Sequence, residues 1–439
     1  MINFIKAYAL YPLLEKQQKR DIRSKIKELN QFADFSREEL ENHRKESLYN
    51  IVKYSSIEVP YYKDLFHKID FKPEKIKNDI KYFEDIPFIN KDTIIQEKSR
   101  LLATKLLDQP RFGRKTGGST GSAVHIFYDQ TGLDWTAAVN LHALSQTGRN
   151  HHDLEVHLSS KFNDNPPLMA KAKEVIKCLG MNRKNIFTSS LEENDLKNTY
   201  LQLLKLKPFL VQGHPSTLYA LAIYIQNSGL PFKKLFNAFE STGESIDNKK
   251  VQTIEKNLGC KVYNRYGNAE FGVIAHSKES ISQLEILNRI VHIENFTLEE
   301  SLSEIVITNY TNKLMPLLRY RTGDLGKVIK MGSKDYIINL EGRIHDLIKI
   351  KDKTFPTHYI QDVLDRIGGI DEFQIIEHKD KTFTLKLVPN QNKDLIKSPN
   401  EVNNQLKSFF DADIDIEYTN FESLAKCGWR DKFRYLIKE

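Results

Sequence analysis

Between residues 208 and 270 short apolar runs alternate with helical patterns, and this alternation restricts the possible folds more than any other part of the chain. Phe209-Leu210-Val211 reads as a strand. A helix over 216–227 follows, with Leu218, Leu221, Ala222 and Ile225 on one face and Gly229 as its stop. Residues 235–239 form the next strand, Asp247 caps a helix bearing Val251, Ile254 and Leu258 that Gly259 closes, and Lys261-Val262-Tyr263 returns to strand. The order is βαβαβ, which predicts a parallel sheet with covering helices. In such sheets ligands sit beyond the carboxyl ends of the strands, where helix N-termini and unpaired backbone amides converge. Each of those ends is polar here: His214-Pro215-Ser216 follows the first strand, Ser241-Thr242-Gly243-Glu244 the second, and Asn264-Arg265-Tyr266-Gly267-Asn268-Ala269-Glu270 the third. Three such ends in succession point to one crevice.

A chain of 439 residues with 40% hydrophobic content calls for one large domain and a smaller one. Residues 13–55 read as a helical scaffold, with Ser36 and Glu39 as a capping box. Beyond residue 300 the pattern turns to strands at 304–308, 317–321, 327–330 and 336–340, and a boundary falls near Glu341-Gly342-Arg343. The expected architecture is a large α/β domain over 1–341, with parallel sheets, covering helices and a β-rich subdomain. A small α+β domain follows over 342–439, with strands at 347–350, 373–377 and 383–388 and helices at 358–366 and 401–410.

Sixty-five Lys and Arg against 58 Asp and Glu give a formal charge of +7, a mild surplus without the basic and aromatic interleaving of a nucleic-acid surface. An anionic small molecule is the simpler partner, and nucleic acid is not expected. Cys178, Cys260 and Cys427 are too few and too far apart for a disulfide framework or a close-spaced metal motif, which fits a reducing, cytoplasmic setting. Residues 4–14 are apolar apart from Lys6, but fall short of the roughly 20 residues of a spanning helix, so no transmembrane segment is expected. They read as an N-terminal helix docked on the body, with peripheral membrane contact as the alternative.

Thr116-Gly117-Gly118-Ser119-Thr120-Gly121-Ser122 combines glycines that let backbone amides approach phosphate with hydroxyls that can donate to its oxygens. It is not a Walker loop, because Ser119 stands where that motif needs lysine. Alone, it would read as a polar connector. Asp324, in Tyr320-Arg321-Thr322-Gly323-Asp324, can accept from a ribose diol, although Thr-Gly-Asp is also a common turn. Glu270 can ligate Mg²⁺ between phosphates or be an ordinary solvated glutamate.

Together and in this order these pieces resemble the adenylate-forming superfamily of acyl- and aryl-CoA ligases. The nearer resemblance is to the phenylacetate-CoA ligase-like family, in the branch found with capsular and other surface-polysaccharide genes. It is carried by Val59-Pro60-Tyr61-Tyr62, Ile86-Pro87-Phe88-Ile89-Asn90-Lys91, the 116–121 loop, and Met315-Pro316-Leu317-Leu318-Arg319-Tyr320-Arg321-Thr322-Gly323-Asp324. The resemblance implies that Thr116, Gly117, Gly118, Ser119, Thr120 and Gly121 embrace the triphosphate of ATP. Ser241, Thr242, Gly243 and Glu244 would border adenine, Tyr266, Gly267 and Asn268 would contact the nucleotide, Glu270 would hold Mg²⁺, and Asp324 would bind the ribose. Arg343 matches a junction arginine, His345 the hinge of a mobile C-terminal cap, and Lys432 the lysine that stabilises adenylation, while His214 and Asn268 would line the acid pocket.

Departures from the pattern shape the expectation. Ser122 and Ala123 replace Lys and Pro, which leaves phosphate charge to Lys115 or Arg114; Asp431 replaces the glycine before Lys432; Lys351-Asp352-Lys353 replaces a glycine-containing turn near the thiol tunnel. Ala275-His276-Ser277 lacks the cysteine of relatives that bind structural zinc, so none is expected. The implied reaction is ATP-dependent activation of a small-molecule carboxylic acid through an acyl-adenylate, then transfer to the thiol of coenzyme A or of a phosphopantetheine carrier protein. The alternatives are adenylation followed by amide or ester formation on a sugar, and a non-catalytic scaffold in a polysaccharide assembly complex. The segment from His142 to Arg149 can serve the pocket or the framework equally well.

Overall fold

A computed structural model describes residues 2–115, 124–160, 168–188, 191–299, 302–343, 347–350, 353–356, 360, 363–364, 367, 369–389, 399–410, 414–424, 426–427 and 432–439. The chain forms two compact units. One comprises Met1–Glu155, Pro166–Lys184 and Tyr263–Leu340, and the other Val156–Asn165, Asn185–Val262 and Glu341–Glu439.

In the first unit the N-terminal residues are helical through Gln17, and Ser36 caps the Arg37–Glu58 helix in the expected reciprocal box with Glu39. Helix Gln130–Gln146 is tied to the N-terminal region through Asp134, which pairs with Arg20 and accepts from the Asp21 amide at 2.9 Å. Strands Val291–Glu299, Leu302–Asn309, Tyr320–Met331, Lys334–Arg343, Gln283–Ile286, Gly272–Ser277 and Lys261–Asn268 are neighbours in that order, mainly antiparallel. A continuous core of Leu48, Val52, Tyr62, Phe83, Ile274, Ile307 and Leu318 lies beneath them.

In the second unit Ala238–Ser241, Leu210–Gly213, Glu155–Ser160 and Arg183–Thr188 follow one another in that order, and the first two pair in parallel from Leu210↔Ala238 to Gly213↔Ser241. Helices Pro215–Asn227 and Asn248–Leu258 are the two that the sequence pattern predicts, the second capped by Asp247 and closed by Gly259 at φ 69°. A four-stranded sheet of Asp415–Tyr418, Phe383–Pro389, Ile370–Glu377 and Leu436–Lys438 has its own core of Phe373, Leu385, Leu387, Val402 and Leu406, with helix Pro399–Phe410. The expected helix over 358–366 falls mostly on residues outside those described.

Three expectations shift. The second βαβ strand begins at Ala238, three residues later than its apolar run. The third continues to Asn268, so Tyr266, Gly267 and Asn268 belong to the strand, and only Ala269, Glu270 and Phe271 form the turn to Gly272. The strands expected at 317–321 and 327–330 are one element, Tyr320–Met331. Its polar Thr322-Gly323-Asp324 stays within the strand because Thr322 Oγ1 donates to Ile305 O at 2.7 Å and the Gly323 amide to Glu304 at 2.9 Å.

Candidate adenylate-forming site

The motifs that carry the resemblance act first as braces. Tyr62, fully buried, donates its hydroxyl to Pro316 O at 3.2 Å and accepts from the Leu318 amide at 3.0 Å. Ile89 exchanges backbone hydrogen bonds with the 319–321 segment, its amide donating to Arg319 O at 3.2 Å and its carbonyl accepting from the Arg321 amide at 2.8 Å. Arg319 sits at φ 51°, a conformation that is costly for a residue with a β-carbon. Its guanidinium compensates by binding Glu294 at 2.8 Å and Ile86 O at 2.7 Å, and by stacking 4.1 Å from the Phe88 ring centroid. Two segments far away in sequence therefore fix the entry to the strand that carries Asp324.

Asp324 owes its position to a bulge. Glu304 pairs with Leu325 and Val306 with Arg321, so extra residues are crowded into the Tyr320–Met331 strand between those pairs. Such bulges re-aim side chains next to functional sites. The Asp324 carboxylate, 7% exposed, accepts from the Tyr266 hydroxyl at 2.7 Å across the sheet. Four residues beyond Tyr266, the Glu270 carboxylate accepts from the Tyr320 hydroxyl at 3.2 Å. Tyr128 lies 2.6 Å from Glu270 O and 2.9 Å from Ala269 O, and the Asn268 side chain accepts from the Phe271 amide at 3.0 Å, so this turn is held from both sides. Glycine is required at 267: a β-carbon there would lie 2.4 Å from Gly272 O. Of the expected residues, the first unit thus brings together Tyr266, Gly267, Asn268, Glu270 and Asp324. It adds Tyr128 and Tyr320, which the sequence reading did not assign; the place of Tyr320 at the head of the Asp324 strand was the available signal.

The second unit collects another set. The Thr242 amide donates to Gly213 O at 3.1 Å, extending the parallel pairing beyond the strand ends, and Gly243 turns the chain at φ 83°. Glu244 then reaches back to the 215–227 helix, accepting from the Ser216 amide at 3.2 Å, a favourable place for an anion. His214 Nδ1 lies 3.0 Å from Thr242 O and 3.7 Å from Glu244 Oε1. The ring is thereby fixed with Nδ1 as donor. Ser241 is fully buried, and its hydroxyl has no hydrogen-bond partner among the described residues.

Several expected residues lie outside the described ones: Thr116, Gly117, Gly118, Ser119, Thr120, Gly121 and His345, and the side chains of Arg343, Lys432 and Lys115. The backbone of Lys432 pairs with Cys427 in a short antiparallel ladder. Arg114 donates to Thr136 at 3.0 Å and lies 5.1 Å over the Tyr128 ring, which supports the strand bearing the loop. His142 and Arg149 both make framework contacts. His142 bonds Asn30 Oδ1 at 3.1 Å, and burial lowers its pKa to about 4. Arg149 donates to Met181 O at 2.8 Å beside the buried Glu155.

As to a metal, the partly buried carboxylate oxygens of Glu270 are hard donors of the kind Mg²⁺ takes when phosphates and water supply its other ligands. Among the described residues no group of three or more His, Cys, Asp or Glu could hold a metal ion by itself.

No family model matches the chain. Protein CapK of Staphylococcus aureus is 23% identical over 341 residues, covering 76% of this chain and 73% of that protein. Among solved structures, 2-hydroxyisobutyryl-CoA ligase in its postadenylation state with R3-HIB-AMP matches at a TM-score of 0.70 and 17% identity, over 90% of this chain and 89% of that one. The anthranilate CoA ligase AuaEII in complex with anthranoyl-AMP matches at 0.52 and 14% identity, over 73% and 64%. This chain has the fold of the adenylate-forming CoA ligases.

Proposed function

We propose that the protein activates a carboxylic acid with ATP, forming acyl-AMP and pyrophosphate, and then passes the acyl group to a thiol of coenzyme A or a carrier protein. The observation that carries this reading is the pair of tyrosine-anchored carboxylates in one unit, Tyr266 to Asp324 at 2.7 Å and Tyr320 to Glu270 at 3.2 Å. A neutral hydroxyl donor fixes each acid's orientation without cancelling its charge, as a ribose acceptor and a metal ligand both need.

In the first step a carboxylate oxygen attacks the α-phosphorus and pyrophosphate leaves. Both reactants are anionic, so the site must supply cations, oriented donors and in-line placement. Asp324 would accept the ribose hydroxyls, Thr242, Gly243 and Glu244 would border the adenine, and the 116–121 loop would offer its amides to the phosphates. Mg²⁺ at Glu270 would neutralise phosphate charge. Lys432 would stabilise the charge that develops in transfer, with 342–439 acting as a cap that Arg343 and His345 join to the body. In the second step the thiol sulfur attacks the acyl carbon and AMP departs. Acid pocket roles fall to His214 and Asn268, and a surface-polysaccharide setting rests on the resemblance of the motifs.

The test is acid-dependent ATP–pyrophosphate exchange across a panel of aryl, hydroxy, amino and fatty acids, with the nucleotide product identified. Exchange with AMP as product supports the reading. ADP as product, or no exchange with any acid at millimolar concentration, overturns it.

A further inference from the structure

Two neighbouring helical segments of the first unit turn apolar side chains to solvent. In Leu168–Gly180 the apolar residues Leu168, Ala172, Val175 and Leu179 recur at intervals of four, three and four, with Met169 and Ile176 beside them, the pattern of a helix face meant for burial. That face is exposed, Leu168 at 84% and Met169 at 74%. Beside it the N-terminal helical segment buries Ala7 and Glu15 inward and exposes Phe4, Ile5, Tyr8 and Leu13. The two segments meet directly. Asn182 donates to Asn3 O at 3.0 Å, and a β-carbon on Gly180 would lie 3.3 Å from Leu14.

Charge identifies the occupant. Residues 1–20 hold four basic side chains and one acidic, the acidic one being the buried Glu15, and residues 168–184 hold five basic and one acidic. Lys16, Lys19, Lys171 and Lys184 are exposed around the apolar surface. A second copy docked on the same face would set these lysine rims against each other. A protein interface core ordinarily excludes lysine, whereas helices that lie in a lipid interface combine Phe and Leu on one face with Lys at its edge. Among the described residues no helix is long and apolar enough to cross a membrane, so contact here would lie in the plane of the bilayer.

We infer that the N-terminal helical segment and the 168–180 helix together form a docking face for the surface of an anionic lipid bilayer. The experiment is co-sedimentation of the full chain with phosphatidylcholine vesicles containing about 30% phosphatidylglycerol, and with phosphatidylcholine alone, at about 0.1 M salt. The chain sediments with the anionic vesicles, and more salt or neutral lipid reduces binding. Lys16→Gln, Lys19→Gln and Lys171→Gln each weaken it by roughly five-fold. Combined Leu13→Gln, Leu168→Gln and Ile176→Gln weaken it by at least roughly ten-fold, with thermal melting unchanged. Failure to sediment with anionic vesicles, binding unaffected by the apolar changes, or a solution dimer that those changes convert to monomer would each overturn the inference.

Discussion

Replacing Lys250 by methionine strips the cation from a cluster buried inside the second unit. Lys250 Nζ lies 2.5 Å from Glu372, with the two side chains 4% and 3% exposed, and it also donates to the Tyr435 hydroxyl. The neighbouring Lys249 donates to Ile370 O, so the 248–258 helix grips the strand Ile370–Glu377 at two successive residues. Burial by itself would depress the Lys250 ammonium, yet the Glu372 carboxylate and Tyr435 hold it well above its ordinary pKa, so the lysine keeps its charge. Removing one partner of such a pair costs about 3–5 kcal/mol, while replacing both with apolar residues of similar volume is close to neutral. Lys250→Met should therefore lose about 3–5 kcal/mol in urea unfolding, and Lys250→Met/Glu372→Leu should recover most of it. The pH dependence has a definite sign. Burial already raises the Glu372 carboxyl, and without the lysine it rises further. A carboxyl raised in the folded state contributes fully below its unfolded pKa of about 4.3, and that contribution is lost as pH climbs through the folded value. The deficit of Lys250→Met should accordingly widen from pH 5 to pH 8. A loss below about 1 kcal/mol, no recovery in the double variant, or a deficit independent of pH would refute the reasoning.

Lys432→Ala should slow adenylate formation by roughly 100- to 1000-fold while leaving thioester formation from synthetic acyl-adenylate nearly intact; equal losses in both assays would remove Lys432 from the first step. His142 is held neutral by burial, with its pKa lowered to about 4, so its contribution to stability is present above pH 6.5 and lost as pH falls towards 4. His142→Gln should flatten the fall of unfolding free energy across that window by roughly 1.4 kcal/mol per pH unit, and an unchanged slope would show that the ring titrates freely. Gly267→Ala would force its β-carbon to 2.4 Å from Gly272 O, parting two paired strands at the Tyr266 position. A loss of about 1–3 kcal/mol should appear in thermal unfolding, together with weaker ATP binding; wild-type values for both would contradict the register.

The alternation of apolar runs over 208–270 was legible because local periodicity and local stops, Gly259 above all, determine those elements. The later strands were less so. Thr322, Gly323 and Asp324 read as a turn, yet hydrogen bonds to Ile305 and Glu304 hold them in a bulged strand, and no local pattern announces a partner so far upstream. The site divides in the same way. Asp324 and Glu270 could be picked out by motif, and Tyr266 was expected at the nucleotide, but the hydrogen bonds by which the Tyr266 and Tyr320 hydroxyls orient the two acids depend on tertiary pairing that no local pattern announces. Lys250 and Glu372 were invisible as a pair, because each looks like a solvated surface charge until tertiary packing buries both. His142 illustrates the reverse case: a histidine that invites a chemical role bonds to Asn30 as part of the framework.

The central claim is that an organic acid's own oxygen attacks the α-phosphorus of ATP. Supplying an accepted acid labelled with ¹⁸O in its carboxyl group, together with ATP and a thiol acceptor, tests this directly by mass spectrometry of the nucleotide product. Label in the phosphate of AMP is the predicted result; unlabelled AMP, or label in inorganic phosphate beside ADP, would contradict it.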